Sequence, residues 1–269
     1  MPDLELITVT GASLLAGFVN AIAGGGGLVS LPILFTAFPG APPATLFGTN
    51  KASMVCGTAW AAANYARHVT LPRHTLVPAS LAALAGGAAG AWLVTLVSPG
   101  WIRLLLPWML AAVLAHTVLA RDLGATHAPR LRPRVEAALG SFIGLALGLY
   151  DGFFGPGTGS FLIFLFIRLA GYDFLHAVAT AKVLNTATNL GALATFGVSD
   201  NIWWRFFLPM AAANVAGSFL GTRLALRHGS RLIRVVFTVV VGALVAKTAY
   251  DSLFTPPAPV TSSPLPAPR

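Results

Sequence analysis

The chain has 269 residues, of which 56% are hydrophobic and only 9% charged, with a mean hydropathy of +0.76 and a formal net charge of +9. Ordinary soluble domains carry about 25% charged residues, so the composition excludes a water-soluble globular protein and points to a polytopic membrane protein embedded in a lipid bilayer. The positive charge does not imply a nucleic-acid partner, because the basic residues lie mostly in short connections between apolar stretches, the pattern that sets membrane orientation.

The N-terminus, Met1-Pro2-Asp3-Leu4-Glu5, carries two acids and no basic run, so the first apolar stretch is expected to be mature structure and not a cleaved signal. Apolar segments follow near 6–37, 45–66, 74–97 and 101–120, then near 135–167, 174–197, 203–226 and 232–252. Each is long enough to span a bilayer, for which about 20 residues suffice. Residues 255–269, rich in Pro, Ser and Ala, read as a disordered tail. Cys56 is the single cysteine and sits in an apolar run, which rules out an intrachain disulfide and a cysteine-rich metal site. No metal or other cofactor is expected.

The two sets of four segments are copies of each other. Shifted by 131 residues without a gap, Gly17, Gly24, Gly26, Leu31, Leu34, Phe35, Gly40, Thr49 and Lys51 fall on Gly148, Gly155, Gly157, Leu162, Leu165, Phe166, Gly171, Thr180 and Lys182. Pro78, Gly86, Gly90 and Arg103 match Pro209, Gly217, Gly221 and Arg234 at the same offset. A fixed period of this kind marks an internal duplication, with a first repeat over 1–131 and a second over 132–254.

The first segment of each repeat is too long for one crossing. A helix over 6–37 would reach about 48 Å against a hydrocarbon core of about 30 Å. It is interrupted by Ala23-Gly24-Gly25-Gly26-Gly27, and its copy by Phe154-Gly155-Pro156-Gly157-Thr158-Gly159. Glycine and proline at that density end a helix. Broken helices at matching places in two halves of a membrane chain point to a transporter's binding site.

Basic residues choose between two topologies. If each long segment crosses the membrane, the arginines divide eight to six, which is no bias. If each is a V-shaped hairpin, Arg67, Arg73, Arg121, Arg130, Arg132, Arg134, Arg168, Arg223, Arg227, Arg231 and Arg234 share one side, and only Arg103, Arg205 and Arg269 the other. The second division obeys the positive-inside rule. It leaves three crossings per repeat, an odd number, so the halves are inverted. The expected fold is all-α: two inverted repeats, each a re-entrant glycine-tipped hairpin plus three transmembrane helices, with both termini outside the cytoplasm.

The second arm of each hairpin then begins at the glycines, with its free N–H groups turned toward the membrane interior. Such a terminus favours an anion. Gly25, Gly26 and Gly27 would supply these donors in one repeat, and Gly157, Thr158, Gly159 and Ser160 in the other; close helix packing is the alternative use of the glycines. Lys51 and Lys182 each stand about two turns into an apolar helix, at equivalent places. A lysine at such depth faces a cavity or a partner, unless it snorkels to the nearer interface. Asp151, aligned with Asn20, is the only carboxylate well inside an apolar segment, where it would carry a coupling proton or hold a lysine or the hairpin backbone. Asn64, Asn185, Asn189, Asn214 and Tyr150 are polar residues within spans, any of which could line the path, although interhelical bonding is the commoner role for each. His116 and Lys247, equivalent to each other, read as interfacial anchors. Two lysines against one acid leave a positive interior suited to a small anionic substrate.

The run Gly17-Phe18-Val19-Asn20-Ala21-Ile22-Ala23-Gly24-Gly25-Gly26-Gly27-Leu28-Val29-Ser30-Leu31-Pro32, with Gly48-Thr49-Asn50-Lys51, resembles the sulfite exporter TauE/SafE family of membrane transporters. Gly152-Phe153-Phe154-Gly155-Pro156-Gly157-Thr158-Gly159, Ala179-Thr180-Ala181-Lys182-Val183-Leu184-Asn185 and Thr188-Asn189 extend the likeness over roughly 6–252. The resemblance implies a multi-pass permease of the bacterial inner membrane for sulfite, a sulfonate or a related organic anion, with the glycine turns, Asn50, Lys51, Lys182 and Asn185 as substrate contacts. Ala181 stands where the first motif has Asn50, so the halves need not contribute equally.

The expected function is therefore alternating-access transport of a small anion between the repeats, with a proton or cation as the coupling ion and a homo-oligomer compatible with the chain. A passive anion channel is the nearest rival. An intramembrane serine hydrolase using Ser160 and His176 is the rival from another class, and it lacks an evident acid or oxyanion arrangement. No phosphate-binding loop of an ATP-driven pump is present.

Overall fold

Residues 2–119, 127–129 and 131–227 are described by a computed structural model. Their regular elements are all helices: α1 (Pro2–Ala23), α2 (Gly26–Ala37), α3 (Pro43–Ala66), α4 (Arg73–Leu96), α5 (Pro99–Leu119), α6 (Pro133–Phe153), α7 (Thr158–Leu165, continued by a π-helical turn Phe166–Ala170), α8 (Phe174–Val198) and α9 (204–227). The segment expected at 232–252, the 255–269 tail, Lys247 and the side chain of His116 lie outside the described residues.

Both long segments break where the glycines stand. Gly24 and Gly155, equivalent by the offset of 131, have φ of +79° and +98°. An L side chain held in left-handed backbone costs about 1–2 kcal/mol per residue, and glycine avoids that cost. Each break converts one overlong stretch into a long helix and a short one. The short arms, α2 with 12 residues and α7 with 8, are too short to cross a bilayer alone. α2 folds back along α1, whereas α7 packs more against α8 than against α6.

Helix starts follow ordinary capping chemistry. Pro43 and Pro133 stand in the first turns of α3 and α6, where the missing N–H costs nothing. Asp173 caps α8, its Oδ1 accepting the His176 N–H at 2.8 Å. Burial pushes the Asp173 carboxyl up, but the His176 backbone and ring, with His127 beyond, outweigh burial and hold it below its ordinary value.

Large apolar side chains cover much of the outer surface, and several polar ones lie inside beside an apolar core. Trp92, Trp101, Trp108, Phe142 and Leu208 are exposed, while Asn20, Thr58, Lys182 and Asn214 are fully buried. Apolar lipid provides no hydrophobic drive between helices, so close backbone packing and buried polar bonds take over. α4 lies along α6 with Gly86 against the backbone of Leu145 and Leu149; α9 lies along α1 with Gly217 against Leu14 and Phe18. Each residue of the second contact is 131 positions from its counterpart in the first. The two apolar clusters show the same correspondence: Leu31, Phe35, Phe47 and Phe196 in one answer to Leu162, Phe166, Val178 and Tyr65 in the other. Each cluster thus joins the hairpin of one half to a helix of the other half.

Candidate functional site

Two lysines define the interior. Lys51 on α3 places Nζ 2.7 Å from Asp151 Oδ2 on α6, and both side chains are almost wholly buried (4% and 2% exposed). Lys182 on α8, with no exposure at all, donates from Nζ to the backbone carbonyl of Asn20 on α1. Lys51 and Lys182 occupy equivalent places, and so do Asp151 and Asn20. Each lysine therefore reaches across to the same position of the opposite half. The difference between Asp and Asn makes one contact an ion pair and the other a lysine resting on a carbonyl.

The carbonyls at the end of α1 are held by donors from several helices. Asn20 O accepts from Gly24 N–H (2.8 Å) as well as from Lys182. Ala21 O accepts from Tyr65 Oη (3.0 Å), and Ala23 O from Ser160 Oγ (2.6 Å). A helix C-terminus carries partial negative charge, so a lysine there is stabilised by the dipole and by the bond together. Asp151 also accepts from Thr188 Oγ1 at 2.6 Å, and Asn20 Nδ2 donates to Thr58 Oγ1 at 2.9 Å.

The tips of the two hairpins touch. Gly24 and Gly159 lie with their Cα atoms in direct contact, and Gly27 lies against Pro156. Beside this crossing is a small cavity lined by Gly24, Gly27 and Gly155 from the turns, Asn50, Lys51 and Met54 from α3, and Asn20, Asp151, Asn185 and Asn189. The centre of a water-sized sphere has about 10 Å³ to move in there, close to the least that holds one water molecule. The side-chain oxygens of Asn20, Asn50 and Asn189 find no partner among the described residues. A buried acceptor left so has a desolvation cost that water or a ligand donor relieves.

Of the residues expected from sequence, Gly27, Asn50, Lys51, Asp151 and Asn185 line this cavity. Gly25 caps α2, and Gly26 packs against Ala16, Asn20 and Met54. Lys182 lies behind Asn20 and does not line it. The second turn contributes Gly155 and not Gly157, Thr158, Gly159 or Ser160: Thr158 Oγ1 donates to Gly155 O (2.8 Å), Ser160 Oγ is committed to Ala23, and Gly159 is spent on the contact with Gly24. Asn20 and Asn189 carry more of the lining than their sequence context suggested. Asn20 was legible through its alignment with Asp151, and Asn189 as a polar residue within a span and part of the Thr188-Asn189 motif. Asn214 and Tyr150 serve as structural bonders, Asn214 to Ser13 and Tyr150 to Pro156 O, while Asn64 is bonded locally to Trp60 O. The serine-hydrolase alternative finds no support in these bonds, since Ser160 is held by Ala23 and His176 by Asp173.

Comparison with known proteins gives a consistent family. The family described as sulfite exporter TauE/SafE matches residues 9–248. A probable membrane transporter protein, ORF9, of Sinorhizobium sp is 35% identical over 243 residues, covering 89% of this chain and 90% of the relative. The probable membrane transporter protein YfcA of Escherichia coli K12 is 35% identical over 242 residues (89% and 88%), and one from Haemophilus influenzae 31% over 236 (88% and 91%). No solved structure gives a significant match.

Proposed function

The chain belongs to the sulfite exporter TauE/SafE family of membrane transporters, and we propose that it is a permease for a small oxyanion such as sulfite or a sulfonate, with its site between two inverted repeats. The observation that carries this reading is the paired reach of Lys51 and Lys182, each from one half to the equivalent place in the other. Any rocking of the halves must remake both contacts, so a ligand that competes for the lysines biases the motion. An oxyanion does this at Lys51 by replacing the Asp151 carboxylate, whose own charge is then neutralised by a proton. Asp151 is on that account the residue through which proton coupling runs. Asn20, Asn50 and Asn189 accept from the water or acidic hydrogen that accompanies the anion.

The cavity, with room for one water, is closed around the site and must widen to admit a sulfur oxyanion. A small enclosed space favours a carrier over a passive channel, which needs a continuous path. The short hairpin arms support six crossings and two re-entrant segments, with the arginine-rich 121–134 connection in the cytoplasm. A cysteine introduced into that connection of a Cys56→Ser protein should react with a membrane-impermeant reagent only from the cytoplasmic face; reaction from the opposite face would refute the orientation.

The central experiment is tracer flux of sulfite and a panel of sulfonates and carboxylates in proteoliposomes. Saturable flux of one anion is expected in the wild type. Lys51→Ala and Lys182→Ala should each lower it by at least tenfold, Lys51 through the loss of its charge at the cavity and Lys182 through the loss of the contact across the halves. Flux indifferent to both substitutions would place the substrate elsewhere.

A further inference from the structure

Away from the cavity, two imidazoles, one local and one 46 residues distant, converge on the Asp173 carboxylate. Asp173 Oδ1 accepts from His176 Nδ1 at 2.8 Å, and Asp173 Oδ2 lies 3.9 Å from Nδ1 of His127. The Asp173 N–H donates to that same His127 nitrogen at 3.4 Å, so Nδ1 presents its lone pair to that N–H, beside the carboxylate. The two imidazoles are stacked, with centroids 3.8 Å apart and planes at 23°. Helix capping accounts for the bonds between Asp173 and His176. It does not account for His127, which arrives from the connection between the halves and brings a third ligand atom within 4.8 Å of the other two.

We propose that His127, Asp173 and His176 form a binding site for a divalent transition metal of the zinc type, tying the connection between the halves to the start of α8. Two imidazole nitrogens and one carboxylate oxygen suit zinc, whereas calcium and magnesium require more oxygen ligands. Zinc bonds of about 2.0–2.1 Å to nitrogen and oxygen put tetrahedral ligand atoms about 3.3 Å apart. The two measured distances, 2.8 and 3.9 Å, run to different oxygens of Asp173, and one ligand atom from each residue lies within 4.8 Å of the others, so side-chain rotations must draw the three together. The side chains are 34%, 27% and 21% exposed, which leaves a fourth position open to water. On binding, the metal takes the place of the Nδ1 proton of His176 as the partner of Asp173, and the neutral ring keeps its one proton on Nε2. Tyr172, whose ring lies 5.5 Å from that of His127, donates to Glu136 and so fixes the wall of the site. The single cysteine of the sequence excludes only a cysteine-rich site. The consequence for the protein is mechanical: Lys182 lies six residues beyond His176 on α8, so a metal here anchors the helix that carries it to the segment joining the halves.

The test is a zinc titration by calorimetry of the full-length protein in nanodiscs, stripped with chelator and carrying no polyhistidine tag. One zinc per chain is expected, undisturbed by millimolar calcium or magnesium. His127→Ala and His176→Ala should each weaken binding on the order of tenfold or more. Asp173→Asn should weaken it too, while its side-chain oxygen still accepts the His176 N–H and keeps the cap on α8, so a cooperative unfolding transition is retained. Zinc should also slow amide exchange in peptides covering 127–129 and 173–177. Absence of stoichiometric zinc binding, or binding that survives all three substitutions, would overturn the proposal.

Discussion

Asp151→Ala should be among the most damaging single substitutions in this chain, because it leaves the Lys51 ammonium buried with no counter-charge. Breaking a buried ion pair by removing one partner costs about 3–5 kcal/mol. A lone lysine at the centre of a bilayer costs about 2.5–3.5 kcal/mol on insertion scales. The two figures overlap near 3 kcal/mol, which shifts an unfolding equilibrium by more than a hundredfold. Removing both charges at once, as in Lys51→Met with Asp151→Leu, should recover most of that stability, since apolar replacement of a buried pair is often neutral or better. It should not recover transport. Thermal unfolding in detergent, paired with anion flux in liposomes, separates these outcomes. If the double variant were no more stable than Asp151→Ala, the pair would not be the source of the loss. Asp151→Asn keeps the shape and the bond from Thr188 while removing the titratable group. It should retain anion exchange and lose accumulation driven by a pH gradient; an unchanged proton dependence would take Asp151 out of the coupling.

Gly24→Val should be comparably severe for a different reason. The residue has φ +79°, and any Cβ placed on it runs into the backbone of Gly159 and Ser160 in the opposite hairpin. Left-handed strain of about 1–2 kcal/mol adds to about 1–3 kcal/mol for overpacking a contact that cannot give way, a total of about 2–5 kcal/mol. The hairpin tips would part, and the cavity beside them would lose its wall. Gly159→Ala separates the two causes, since Gly159 makes the same contact without a positive φ and should suffer the clash alone. Gly40→Ala is the control: a Cβ there meets nothing within 4 Å, so a surface-like change within about 0.5 kcal/mol is expected. Unfolding curves and size-exclusion profiles would show whether the order Gly24→Val, Gly159→Ala, Gly40→Ala holds. Equal effects at Gly24 and Gly40 would mean that the meeting of the tips is unimportant.

Much of this architecture could be read along the chain. Hydropathy placed the described helices to within a few residues, and the density of glycine marked both breaks, because helix length and helix interruption are set by residues close in sequence. The offset of 131 residues identified Lys51 with Lys182 and Asn20 with Asp151. The same reasoning misjudged which parts of the second turn face the cavity. By local rules Thr158 and Ser160 are free hydroxyls at a helix start; in the fold their partners are Gly155 O, inside the same turn, and Ala23 O, from the other hairpin.

The sequence by itself determined the membrane class and the helices, and it carries a 131-residue period and two lysines within apolar segments, since each is written in composition or in spacing. Tertiary structure alone decided that each lysine meets the opposite half, that a single Asp–Asn difference yields one ion pair and one carbonyl contact, and that His127 reaches Asp173. Those outcomes depend on how helices far apart in the chain cross. Helix crossing is governed by the close approach of small residues on several elements at once, a many-body condition that no local pattern encodes.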